Sequence, residues 1–133
     1  MFFNYSKLKL NHNATKDELC HQLSAVFIER MTDQSLQGKL FLMIAAELAN
    51  NTEVFYDLYY EVESEAIQLI VDAIKKVNPQ FNIDEKMNEL MLLYRINNTL
   101  HFVSNLYIKK EGWNVQSNLL YDLYYEMFKK LII

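Results

Sequence analysis

Only Gly38, Gly112 and Pro79 interrupt the 133 residues of this chain, so long stretches carry no residue that would turn the backbone out of a helix. Two of those stretches, Asn51 to Asn78 and Asn82 to Lys110, are apolar over more of their circumference than a surface helix needs. The expected product is an all-α domain with more apolar helix surface than one small core consumes. A partner, a ligand or both must cover the excess.

The length fits one domain, read as a lead segment over residues 1–13 and a helical domain over 14–133. A hydrophobic fraction of 51% argues against disorder. The formal charge of -4 argues against a phosphate-gripping surface, which needs clustered Lys and Arg. The opening is a local exception, since Lys7, Lys9, His12 and Lys16 all precede the first acid, Asp17. Cys20 stands alone, which excludes an internal disulfide and makes a reducing, cytoplasmic setting the expectation. No signal-peptide run opens the chain. Its longest apolar stretch, Leu40 to Ala49, is broken by Glu47 and falls well short of the ~20 residues a bilayer requires, so no membrane partner is expected.

Caps and period give five helices. Thr15-Lys16-Asp17-Glu18 is a capping box opening a helix with the stripe Leu19, Leu23, Val26, Phe27 and Met31. Asp33 or Ser35 caps a short second helix through Leu40, Phe41, Ile44, Ala45 and Leu48. The third follows Asn50-Asn51-Thr52-Glu53, carries Phe55, Leu58, Tyr59, Val62, Ala66, Leu69, Ile70, Ala73 and Val77, and stops before Pro79. Asn82-Ile83-Asp84-Glu85 opens the fourth, which Lys109, Lys110 and Gly112 close. Asn114 is expected to cap a fifth helix running to the chain end. The hexapeptide Tyr-Asp-Leu-Tyr-Tyr-Glu occurs at Tyr56 to Glu61 and again at Tyr121 to Glu126. Nothing around the two copies matches, so they read as convergent aromatic patterning.

The fourth helix divides into two faces when wrapped at ~100° per residue. One holds Met87, Met91, Tyr94, Asn98, His101 and Asn105; the other holds Leu92, Leu93, Ile96, Leu100, Val103 and Tyr107. A second apolar stripe has to be buried, and a twin subunit is the simplest cover. The fifth helix adds Leu120, Leu123, Tyr124, Met127 and Leu131, flanked by Tyr121, Tyr125, Phe128 and Ile132. The last two helices are thus expected to form a four-helix dimer interface, with Ile96, Leu100, Val103, Tyr107, Leu120, Tyr124, Met127 and Leu131 as its residues.

From Gly38 to the end, the order of elements resembles the C-terminal regulatory domain of TetR-like transcriptional regulators. The short helix ending Leu42-Met43-Ile44-Ala45-Ala46-Glu47-Leu48-Ala49-Asn50-Asn51 is similar to that family's sixth helix and following turn. Thr52 to Val77 is similar to the seventh, Asp84 to Glu111 and Val115 to Ile132 to the eighth and ninth, and Thr15 to Met31 to the fifth. The resemblance lies in lengths and apolar positions, with no diagnostic motif. The family's helix-turn-helix head has no counterpart before Asn13, so the expectation is a fragment or a headless protein, reaching DNA only through a head absent here.

The resemblance implies a five-helix orthogonal or bundle fold, a homodimer, and a small apolar effector between the fifth, sixth and seventh helices. Transferred by position, the pocket candidates are Phe27, Met43, Tyr59, Tyr94, Asn98 and His101; the competing reading is a plain core with satisfied polar groups. An enzyme reading rests on Arg95 and His101, which fit the loose Arg-x(4–6)-His signature of HEPN ribonucleases, another family of small all-α dimers. Ile96 stands where those enzymes carry a polar residue, and the pair lies ~120° apart around the helix. A third reading is a plain helical interaction protein. His12, His21 and His101 lack metal-ligand spacing, Cys20 and His21 are adjacent and cannot converge, and no Gly-rich phosphate loop exists. No catalysis, metal or cofactor is expected.

Overall fold

The computed structural model describes residues 14–31, 35–48, 53–111 and 117–133; side chains at 102–111 and at a few other helical positions fall outside that description. The described residues are all-helical, in the order α1 (Lys16–Met31), α2 (Leu36–Leu48), α3 (Glu53–Val77), α4 (Ile83–Glu111) and α5 (Ser117–Ile132).

Local chemistry sets most of the boundaries. Thr15 Oγ1 accepts from the Glu18 amide at 3.1 Å, satisfying one of the free donors that open α1. Of the two caps considered for α2, Ser35 takes the role, with its Oγ 3.3 Å from the Gly38 amide; Asp33 lies outside the described residues. α3 ends at Val77, two residues before Pro79. The turn behind it closes with a 3.0 Å bond from the Phe81 amide to the Asn78 carbonyl. Asn82 Oδ1 then accepts from the amides of Asp84 and Glu85 at 3.1 and 3.4 Å and opens α4. The start signal at Asn50 to Thr52, the terminator Gly112 and the cap Asn114 fall outside the described residues.

The core is built on α1 and α5, which pack more extensively against each other than any other pair of helices. Phe27 stands edge-on to Tyr124 and Phe128, with ring centroids 5.4 and 4.9 Å away. Leu19, Cys20 and Leu23 of α1 and Leu131 and Ile132 of α5 complete that layer. α3 contributes Val62, Ala66, Ile67, Ile70, Val71, Ala73 and Ile74; α4 contributes Leu90, Leu93 and Tyr94. The Asn78 side chain bonds the Ile132 carbonyl at 2.9 Å, pinning the end of α5 to the end of α3. α2 rests mainly on α3. Ile44 is buried, whereas Leu36, Leu40 and Met43 face outward.

Three expectations need revising. Tyr124 and Leu131, placed by their stripe at a dimer interface, are 3% exposed within the single subunit, because α5 turns that edge onto α1 and α4. The α4 core face is Leu90, Leu93, Tyr94, Asn97, Asn98 and His101, so Leu93 belongs with the core and not with Leu92 and Ile96. α3 is also buried over a wider arc than its predicted stripe, since Ile67, Val71 and Ile74 are enclosed as well. Removing the ring at the centre of the α1–α5 layer should therefore be costly. Phe128→Ala is expected to lower unfolding free energy by about 3–5 kcal/mol in urea denaturation, while Leu119→Ala on the exposed face of α5 changes it by less than about 0.5 kcal/mol. Equal effects would contradict the placement of α5.

Candidate functional site: the polar row of α4

Four side chains within two turns of α4 reach out polar atoms to three different helices. Arg95 forks onto Glu63 of α3, with Nε 3.0 Å and Nη2 2.8 Å from the two carboxylate oxygens. Asn98 Nδ2 donates to the Tyr59 hydroxyl of α3 at 3.3 Å. Asn97 Oδ1 accepts from the Tyr124 hydroxyl of α5 at 2.6 Å. His101 turns to α1, where Nδ1 lies 2.9 Å from the Met31 carbonyl and Nε2 3.2 Å from an Arg30 guanidinium nitrogen.

The His101 contacts fix its tautomer. A guanidinium only donates, so Nε2 accepts and the ring proton sits on Nδ1, donated to Met31. Met31 is the last residue of α1, and its carbonyl is one of the four that a helix end leaves free. His101 thus caps α1 from α4, while Arg30 places positive charge in the last turn where the helix dipole favours it. Both side chains are buried, His101 completely.

Glu63 is 3% exposed, an uncommon burial for a carboxylate, and the bidentate Arg95 is what makes it tolerable. The same contact raises the Arg95 pKa, chiefly through the hydrogen bonds it donates to Glu63. Burial raises the phenol pKa values of Tyr59 and Tyr124, so both remain donors or acceptors without charge at neutral pH. Asn97 Nδ2 and Asn98 Oδ1 are enclosed without a hydrogen-bond partner among the described residues.

A second polar cluster joins α1 to α5 at the surface. The His21 ring stacks on Tyr125, with centroids 4.4 Å apart, and lies 5.9 Å from Tyr121 in a similar orientation. Its Nδ1 is 2.6 Å from the Tyr121 hydroxyl, and Nε2 is 3.5 Å from Asp17. The Tyr125 hydroxyl donates to Asp17. That bond pushes the Tyr125 phenol up to about 12, while burial pushes the neighbouring Cys20 thiol to about 11 and keeps it an inert core side chain.

The six pocket candidates are only partly assembled. Tyr59 and Asn98 are bonded to each other, and Tyr94 and His101 lie on the same buried face of α4. Phe27 is engaged by the aromatic rings of α5, and Met43 is 51% exposed on α2, outside any enclosed site. Arg95 and His101 do not converge. One is held at the surface by Glu63 and the other is sealed against the end of α1, so the pair offers no shared position for a scissile phosphate. Sequence reasoning missed Asn97, Arg30 and Glu63; nothing local marks Glu63 for burial, because its partner is 32 residues away. Among the described residues no group of His, Cys, Asp and Glu could hold a metal ion, and no helix is long and apolar enough to cross a membrane.

Set against known protein families, curated proteins and solved structures, the chain matches none of them.

Two outcomes follow from these contacts. Arg95→Ala strands the Glu63 carboxylate and is expected to cost about 2 kcal/mol of stability, most of it recovered when Glu63→Met is added. A double variant no more stable than the single one would show that the pair is not the source. For Tyr125, a folded pKa of about 12 against an ordinary 10.0 means the neutral phenol favours the fold. Its contribution is complete below the ordinary value and disappears as pH rises through the folded one. Tyr59 and Tyr124 also ionise late, so spectrophotometric titration should show one fewer late-ionising phenol in Asp17→Ala than in the wild type; an unchanged profile would contradict the assignment.

Proposed function

We propose that this chain is a non-catalytic, homodimerising regulatory domain of the TetR-like kind, in which α4 and α5 carry the twin-subunit contact. The observation that carries the reading is an apolar face shared by those two helices. On α4, Asn97 points to α5, while Ile96 one residue before it and Leu100 three after it lie on the flank turned away from α1 and α3. On α5, Tyr124 points to α4, and Leu123 and Met127 hold the same two relative positions, again on the side away from α1. Leu123 is 51% exposed, Met127 39% and Ile96 38%, and Leu120 and Leu100 sit half-buried beside them. The outer groove between α4 and α5 is therefore apolar on both walls.

A twofold mate laying the same groove against it would complete a four-helix bundle, the arrangement in which obligate helical dimers bury upwards of roughly 2,000 Å². Ile96, Leu100, Leu120 and Met127 are then the interface residues. Val103 and Tyr107, further along α4, have side chains outside the described set.

Effector recognition is proposed at the α3–α4 contact, where Tyr59 and Asn98 meet one turn along α4 from the buried Tyr94. The Asn98 carbonyl oxygen supplies an enclosed acceptor with capacity to spare, suited to a small apolar molecule carrying one donor group. A ligand seated between α3 and α4 would favour one arrangement of helices linked to a DNA-binding head on a longer chain, which is a population shift between two states.

Sedimentation at micromolar concentration tests the reading. The wild-type chain is expected to run as a dimer, and Ile96→Glu combined with Leu123→Glu as a monomer with unchanged far-UV circular dichroism, a weakening of at least about 100-fold. A wild-type monomer would overturn it.

A further inference from the structure

The two copies of Tyr-Asp-Leu-Tyr-Tyr-Glu, in α3 and α5, make matching contacts with α4. Tyr59 and Tyr124 occupy the same place in the hexapeptide, and their hydroxyls meet the side chains of the adjacent residues Asn98 and Asn97. The remaining pair of tyrosines behaves differently in the two copies. In α5, Tyr121 and Tyr125 hold the His21 imidazole of α1, with Asp17 one turn earlier accepting from Tyr125. In α3, the equivalent Tyr56 and Tyr60 are 61% and 60% exposed.

Helix phase makes the exposed pair more telling. Tyr56 and Tyr60 share the arc of α3 that carries Glu63, Ile67, Ile70 and Ile74, all buried. The face that packs in the second half of the helix thus continues uncovered into its first turns. Arg95 of α4 reaches the same arc through its fork onto Glu63. The exposed carboxylates of Glu53, Asp57 and Glu61 line one flank of it, a field that favours a cation.

We propose that Tyr56 and Tyr60 form a docking cradle for a helix of a partner protein that presents a His or Arg side chain one turn after an acid, the chemistry α1 presents to α5. Ring stacking and the cation–π attraction of the two phenols hold the planar nitrogen group, and a Tyr60 hydroxyl donates to the partner's carboxylate as Tyr125 does to Asp17. This face lies on α3 and is separate from the α4–α5 groove, so its occupancy does not depend on self-association.

The test uses the full chain and, as probe, a labelled peptide of residues 14–31 kept helical by a staple bridging the exposed positions Glu18 and Ala25. Fluorescence anisotropy is expected to show binding that weakens at least about tenfold in Tyr56→Ala/Tyr60→Ala. The peptide variant H21A is expected to lose binding similarly, and H21R to retain it above the pH at which imidazole is neutral. A Tyr56→Phe/Tyr60→Phe chain keeps the stacking and should bind with an intermediate affinity. Absence of binding at millimolar peptide overturns the proposal. So does binding indifferent to the tyrosine changes, which would mean the peptide displaces the chain's own α1.

Discussion

The hydrogen bonds that leave α4 hold the remaining structure in register. Asn97, Asn98 and His101 sit within little more than one turn, yet they bond to α5, α3 and α1 respectively. Apolar packing alone is tolerant of small slides and rotations, whereas a buried amide or imidazole with one available partner is not. Rotating α4 by a single residue position would strand several buried polar atoms at once, each at a cost of about 1–3 kcal/mol. The angular placement of α4 follows from that penalty, and with it the direction in which Ile96 and Leu100 point.

The same row explains how charge is admitted to the interior. Arg30 and Glu63 are both buried, on α1 and α3, and each is met by a side chain of α4. His101 accepts from Arg30 and donates to the end of α1, so one neutral ring serves a guanidinium and a helix terminus together. α2 rests on α3 with Leu36, Leu40 and Met43 outward, which makes it the most weakly committed element among those described.

Much of the helical layout was legible in the chain. The scarcity of glycine and proline, the Thr15 and Asn82 caps and the position of Pro79 set the ends of α1, α3 and α4, because those signals are local. Which helix faces which was less legible. An apolar stripe reports that a face is covered but not by what, so Tyr124 and Leu131 read as interface residues when α1 and α4 cover them. The buried polar residues were the hardest to place. Asn97 and Glu63 carry no apolar signal, and the partners that justify their burial are 27 and 32 residues away. Met43 was a pocket candidate only through its position in the resembling domain, and α2 turns that side to solvent.

Native-state hydrogen exchange tests the central role of α4 most directly. If its polar row is the element on which α1, α3 and α5 depend, amides of α4 from Leu90 to His101 should exchange only through global unfolding, together with those of α1 from Leu23 to Met31. His101→Ala should then make the C-terminal turn of α1 exchange by local opening while α3 beyond Ile67 stays protected. Exchange of residues 90–101 through local opening, with α1 and α5 still fully protected, would contradict the account.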